Sequence, residues 1–246
     1  MIVADIGNTN IQFAFVKCAK ITKISKAPIK EITESFIRKK ILTNKKQKII
    51  ICSVVPQITR LFSKTIKNLF IVGKNIKIPI KSLYQKKDIG NDRLLAAYAA
   101  NTFFPQTRII LDFGTAITLD FISKNGIYQG GIILPGVGST IETFSRCALL
   151  PKKITLVRST KKIPQNTAAS ISKGLQEGFS MMINSLVEKY CKDLKISNNK
   201  KILITGGGIS PIINKLSFSY QYEPLLILKG LIHLATNRAR KDKTLS

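Results

Sequence analysis

Apolar and polar positions along the chain fall into two rounds of one pattern. In the first, residues 2–5, 11–16 and 21–25 are short runs rich in β-branched and aromatic side chains and predict three strands joined by tight turns. Residues 31–42 then place Ile32, Phe36 and Ile37 on one helical face, and residues 48–55 read as a buried strand. Pro56 opens a helix with Ile58, Leu61, Phe62, Ile66 and Leu69 at a 3.6 period, and residues 70–72 return to the sheet. A further helix carries Leu94, Leu95, Ala97 and Tyr98, with Asn91 or Asp92 at its start.

The second round repeats the order. A strand runs to Asp112, a second to Ser123 and, after an Asn125-Gly126 turn predicted to be type I′, a third over 127–134. Pro135-Gly136-Val137-Gly138 interrupts the chain, and Ser139 with Glu142 predicts a capping box for a helix reaching Leu150. Asn166 and Thr167 start a long helix with Ile171, Leu175, Phe179, Met182 and Leu186 on its core face, Gly174 and Gly178 allowing close packing. A strand over 201–205 feeds Gly206-Gly207-Gly208, and residues 224–237 form an apolar helix carrying His233.

Each round opens on the same turn. Asp5-Ile6-Gly7-Asn8-Thr9-Asn10 and Asp112-Phe113-Gly114-Thr115-Ala116 both bring one carboxylate off a strand into a Gly, Asn and Thr loop that runs straight into the next strand. Glycine lets backbone N–H groups curl toward an anion, polar side chains add donors, and the Asp serves a cation accompanying the phosphate. One such turn is ordinary hairpin chemistry; two in register predict a duplicated, phosphate-handling enzyme. The triple glycine suits a backbone lying flat against an adenine or ribose face, or a bare turn. Neither a G-x-x-x-x-G-K-[ST] loop nor a strand followed by G-x-G-x-x-G is present, which excludes those two phosphate motifs.

Composition narrows the classes. At 246 residues and 44% hydrophobic the chain can bury real cores, and no apolar run reaches the ~20 residues of a membrane helix, so a cytoplasmic protein without membrane partners is expected. The four cysteines, Cys18, Cys52, Cys147 and Cys191, are scattered and read as reduced core residues rather than zinc or disulfide partners. The net charge of +27 raises nucleic acid as a partner. Its lysines, however, are spread in pairs from Lys39-Lys40 and Lys45-Lys46 through Lys86-Lys87 to Lys152-Lys153 and Lys161-Lys162, without interleaved aromatics, so no specific nucleic-acid site is expected.

The combined motifs resemble the acetate and sugar kinase/Hsp70/actin superfamily and, within it, type III pantothenate kinases. The residues carrying the resemblance are Asp5 to Asn10, Gly90-Asn91-Asp92-Arg93, Asp112 to Ala116 with Thr118, Gly130-Gly131 with Pro135-Gly136, Asn166-Thr167 and Thr205-Gly206-Gly207, in order and over nearly the whole chain. Asn91 stands where the family motif carries Ala.

The resemblance implies an α/β, duplicated ribonuclease H-like (actin-like ATPase) fold. Its two βββαβαβα-type halves would be 1–108 and 109–246, with a nucleotide cleft between them. It implies ATP-dependent phosphorylation of pantothenate, the first step of coenzyme A biosynthesis. Asp5, Ile6, Gly7, Asn8, Thr9, Asn10, Ile11 and Gln12 would contact ATP phosphates and Mg²⁺, Thr115 would bind ATP, and Asp112 would hold a monovalent cation, K⁺ or NH4⁺. Tyr84, Gly90, Asn91, Asp92, Arg93 and Thr167 would bind pantothenate, with Asp92 the proton acceptor, and the family's homodimer would be retained. A catalytically inactive regulatory or nucleic-acid-binding relative, and a superfamily kinase for another small hydroxyl acceptor, are the alternatives.

Overall fold

The computed structural model describes residues 1–42, 47–85, 88–147, 154–156, 162–196 and 201–243, the last six as backbone only. The lysine pairs at 45–46, 86–87 and 152–153, Lys161 and the predicted helix end at 148–150 lie outside the described residues. The chain divides into two compact units. One holds residues 1–105, 122–130 and those from 225 onward; the other holds 106–121 and 131–224.

In the first unit β1 (Ile2–Ile6), β2 (Asn10–Lys17) and β3 (Lys20–Pro28) form an antiparallel meander, and β4 (Ile49–Ser53) and β5 (Leu69–Ile71) add in parallel beyond β1, giving the order β3-β2-β1-β4-β5. Alternation along β1 and β4 divides their side chains between the sheet faces. Ile2, Ala4, Ile6, Ile49 and Ile51 pack with Ile37 and Ile41 from the segment before β4 and Phe62 from the segment joining β4 to β5, and every one of these is fully buried. The predicted helix over 31–42 is a three-residue α1 (Glu34–Phe36) that continues as one π-helical stretch, Ile37–Ile41. Its start is set by Thr33, whose side chain accepts the N–H of Phe36 at 3.1 Å.

Helix α2 (Pro56–Thr65) connects β4 to β5, and α3 (Asn91–Phe103) follows. On α3 the run from Leu95 to Ala100 is buried, packed against β4 and against the later helix α6 (Leu226–Lys243), which also covers β1 and β4. The two helices cross closely at Gly230, where a Cβ would meet Leu95 Cδ1 at 3.0 Å and Ala99 Cβ at 3.1 Å. Beside the crossing, Tyr98 and His233 share a 2.7 Å hydrogen bond, so the single histidine is a packed, bonded residue as the apolar helix predicts.

The second sheet repeats the topology as β10-β9-β6-β7-β8. It is built from β6 (Ile109–Phe113), β7 (Ala116–Ile122), β8 (Tyr128–Pro135), β9 (Ile202–Thr205) and β10 (Gln221–Tyr222). Helices α4 (Val137–Ser145) and α5 (Thr167–Asp193) lie between β8 and β9 in sequence, and a single 3-10 turn, Ile213–Lys215, separates β9 from β10. Leu175, Phe179, Ile183 and Val187 of α5 join Leu111, Phe113, Ile117 and Leu119 in one core cluster.

Two turns differ from expectation. Only Gly126 has positive φ (+73°) in the β7–β8 loop, and its N–H donates to Ser123 O at 3.0 Å, so Asn125-Gly126 is not type I′, which needs two such residues. The residues with paired positive φ are Cys18 (+49°) and Ala19 (+59°), between β2 and β3. That turn also exposes Cys18, and Cys147 is exposed too, whereas Cys52 is in the core and Cys191 is half-buried. Among the described residues no helix is long and apolar enough to cross a membrane.

Candidate active site

The two Asp turns are structural equivalents. Asp5 pairs across its hairpin with Gln12 and lies beside Cys52 of parallel β4; Asp112 pairs with Thr118 and lies beside Thr205 of parallel β9. The first loop holds Gly7 to Asn10 between the paired Ile6 and Ile11, and the second is one residue shorter, Gly114 to Ala116 between Phe113 and Ile117. Gly7 N–H donates to Asn10 O and Gly114 N–H to Ala116 O, each at 3.0 Å. Each glycine amide therefore closes its own loop rather than turning outward. The surface offered to a ligand is made by the exposed tips, Asn8 and Thr9 in one turn and Thr115 in the other.

Glycines from two other segments press against the second turn. A Cβ on Gly206 (φ +84°) would stand 2.5 Å from Asp112 Oδ1 and 2.6 Å from Phe113 O, and Gly208 N–H donates to Phe113 O at 2.8 Å. A Cβ on Gly136 would overlap the carbonyls of Gly114 and Thr115. Gly206 and Gly208 are thus explained by the closeness of their own chain to the Asp112 turn. Ser139 makes no capping box: Gly136 is the N-cap of α4, and the Ser139 hydroxyl donates to Thr115 O at 2.7 Å, fastening the helix start to the turn. On the same sheet face Thr118, the cross-strand partner of Asp112, donates to the buried Asp120 at 2.8 Å. Past the glycines a cavity of about 640 Å³ is lined by Lys173, Gln176, Glu177, Ser210, Pro211 and Lys215.

In the first unit, Gly90 is the N-cap of α3 and contributes no side chain; the Asp92 carboxylate folds back over it and accepts the Arg93 N–H at 2.9 Å. A Cβ on Gly90 would overlap Asp92 Oδ1, which is why glycine precedes the acid. Burial pushes the Cys52 thiol well above its ordinary pKa, and the negative charges of Asp5 and Asp92 add to the effect. Both carboxylates are therefore felt at one buried sulfur, which links the first Asp turn to the start of α3. Asn91 lies against Gly73 (φ +85°), whose Cβ would meet its side-chain amide. Alongside, Ser53, Thr59, Arg60, Ile89, Gly90 and Asn91 line a cavity of about 680 Å³.

Arg93 is buried. Its guanidinium carbon is 5.9 Å from the ring centroids of both Tyr84 and Tyr128, two rings that meet edge to face at 6.4 Å. Tyr128 was not legible as a neighbour of Arg93, because nothing in the β8 pattern distinguishes it from a core aromatic. Thr167 is the exposed first residue of α5 in the second unit, behind the Asn166 cap whose Oδ1 accepts the Ala169 N–H at 2.9 Å.

Two sheets of one strand order, each opened by an Asp turn, define a duplicated ribonuclease H-like fold of the actin-like ATPase class. The activator of 2-hydroxyisocaproyl-CoA dehydratase from Clostridium difficile, solved with bound ADPNP, shares it at a TM-score of 0.56 and 12% identity, over 100% of this chain and 97% of that one. Within the class, the sequence model for type III pantothenate kinase matches residues 1–189, and this chain belongs to that family. The type III pantothenate kinase of Sulfurihydrogenibium sp. (strain YO3AOP1) is 30% identical over 95% of this chain and 98% of its own length. A crystal structure of a conserved Baf family transcriptional activator from Campylobacter jejuni is similar at a TM-score of 0.65 and 25% identity, covering 98% of this chain and 100% of that one.

Proposed function

We propose that this chain transfers the γ-phosphoryl group of ATP to the 4′-hydroxyl of pantothenate, in the cytoplasm, as the first step of coenzyme A biosynthesis. The observation that carries the reading is the start of α3, where a family motif sets a carboxylate and a guanidinium on consecutive residues, next to Gly90 and Asn91, which line a cavity. Phosphoryl transfer through a loose transition state asks mainly for positioning and charge stabilisation. Asp92 orients the acceptor hydroxyl and takes its proton. Arg93 offers a planar fork to the pantothenate carboxylate, and Tyr84, Gly90, Asn91 and Thr167 complete the acceptor contacts.

The turn from Asp5 through Ile6, Gly7, Asn8, Thr9, Asn10 and Ile11 to Gln12 receives the phosphates. Thr115 binds ATP from the second turn, and the cavity past Gly208 has room for the adenosine. Among the described residues no group of three or more His, Cys, Asp or Glu could hold a metal. The single carboxylate of the first turn, Asp5, fits Mg²⁺, which takes one or two carboxylates and completes its shell with phosphates and water. When bound, Mg²⁺ neutralises phosphate charge. Asp112, with Thr118 as its cross-strand partner, brings oxygen donors alone, a set suited to K⁺ or NH4⁺. A homodimer is part of the proposal: Met181 on α5 and Ile163 just before it are exposed, and a Cβ on Gly174 or Gly178 would meet nothing within 4 Å, leaving that helix open to a second copy.

The test is ADP release across a panel of small hydroxy acids with ATP and Mg²⁺, in K⁺ and in Na⁺, on protein whose mass is read by light scattering. A response to pantothenate, higher in K⁺, from a dimer is the expected result. Turnover of another acceptor but not pantothenate would overturn the acceptor assignment, equal rates in the two salts the cation site, and a fully active monomer the dimer.

A further inference from the structure

The Gly130-Gly131 pair and the buried Tyr128 have no role in the site as described so far, and both lie at the start of β8. Tyr128 is fully buried, and its backbone is pinned on both sides: its N–H donates to Lys81 O and its carbonyl accepts the Leu83 N–H, each at 2.9 Å. Those bonds, with the parallel bridge between Ser82 and Tyr128, tie the 81–84 segment to the strand and deliver Tyr84 beside it. Gly130 has φ +114°, and a Cβ there would press on Tyr84 Cδ2 at 3.3 Å, so the ring rests on the bare glycine. Arg93, from the first turn of α3, then lies within cation–π range of both rings.

The geometry points to Tyr128 and Gly130 as positioning residues for the acceptor site: one strand end seats Tyr84 and holds the guanidinium of Arg93 where an anionic end of the acceptor is gripped. The inference rests on the proposed pantothenate kinase reading and names what orients two of its binding residues. Tyr128 itself, with no exposed surface, touches no substrate. Lysine at 93 would lose both the fork and the preference of a guanidinium for stacking on aromatic faces.

The experiment is a double-mutant cycle on pantothenate phosphorylation with Arg93→Met and Tyr128→Leu, beside Tyr128→Phe. Tyr128→Leu is expected to raise the pantothenate KM roughly tenfold, the size of a desolvated cation–π contact, with kcat and the ATP KM changed less than about threefold. Tyr128→Phe keeps the ring and stays within about twofold of wild type. Acting through Arg93, Tyr128→Leu adds nothing further to Arg93→Met. Should Tyr128→Leu fail to fold, Tyr128→Met takes its place in the cycle. Equal losses for both substrates, failure of Tyr128→Phe to restore the KM, or an additive double mutant would overturn the inference. Wild-type protein inactive on pantothenate would instead remove the reading beneath it.

Discussion

Asp92→Asn separates a helix-start role for this residue from a chemical one. The hydrogen bond at stake is the 2.9 Å contact from Arg93 N–H to Asp92 Oδ1, and asparagine keeps that oxygen in place. Gly90 still leaves space for it, so the local packing is unchanged. What disappears is a negative charge in the first turn of α3, worth about 0.3–1 kcal/mol against the helix dipole. For a chain of this size that is a Tm shift of no more than about 4 °C. Loss of the proton acceptor is a different order of effect, a fall in kcat of roughly 10²- to 10⁴-fold, with ATP affinity nearly unchanged because the Asp turns are untouched. Steady-state kinetics on pantothenate and ATP, with thermal unfolding of the same samples, read both quantities. A folded Asp92→Asn protein that turns over pantothenate at near wild-type rate refutes the reasoning and leaves Asp92 a helix-start residue alone.

Two further outcomes follow from the backbone and the core. Ala19→Gly should raise stability by about 0.5–1 kcal/mol, seen as a higher urea midpoint, because Ala19 sits at φ +59° in a region that costs an L-residue roughly 1–2 kcal/mol, part of which the greater freedom of unfolded glycine offsets; an unchanged or lower midpoint contradicts the turn geometry. The Cys52 thiol, raised by burial and by Asp5 and Asp92, stays protonated in the fold while the unfolded thiol ionises near its ordinary value of roughly 8.5. Its contribution is therefore complete below that pH and is lost above it, by up to ~1.4 kcal/mol per pH unit, as pH rises toward the folded pKa. Denaturation from pH 7 to 10 should show that slope reduced in Cys52→Ala, and identical slopes for the two proteins would refute it.

The strands and the two Asp turns were readable because their signals are local: β1 and β6 are continuous apolar runs ended by Asp, and period and turn residue coincide. The Asn166 cap of α5 was readable for the same reason. Ser139 satisfied the letter of a capping box, yet its hydroxyl found a better acceptor 24 residues earlier, at Thr115, and no local pattern announces a tertiary partner. The tight turn at Cys18-Ala19 carries neither Gly nor Asn, so the pairing of β2 with β3 imposes a conformation the residues do not prefer. Gly206 and Gly208 were visible as glycines, but their reason, the nearness of Asp112 and Phe113, exists only once β6 and β9 pair. Arg93 was visible through its motif, while its two-ring setting draws on residues 84 and 128 from separate segments.

Helix α6 belongs to the first unit, and its Leu226, Leu228 and Leu231 are fully buried where it packs on β1, β4 and α3. On the ribosome, that helix emerges only after residues 106–224 have been made. The apolar face of β1 and β4 that it covers stays open throughout that interval, so the usual order in which amino-terminal structure is finished first is inverted here. The second unit, drawn from 106–121 and 131–224, has its last strand, β10, in hand before α6 is made. A nascent chain of this protein therefore keeps one face of its first sheet without its last helix until synthesis is nearly finished, and it is during translation, more than in the finished fold, that a chaperone has apolar surface to protect.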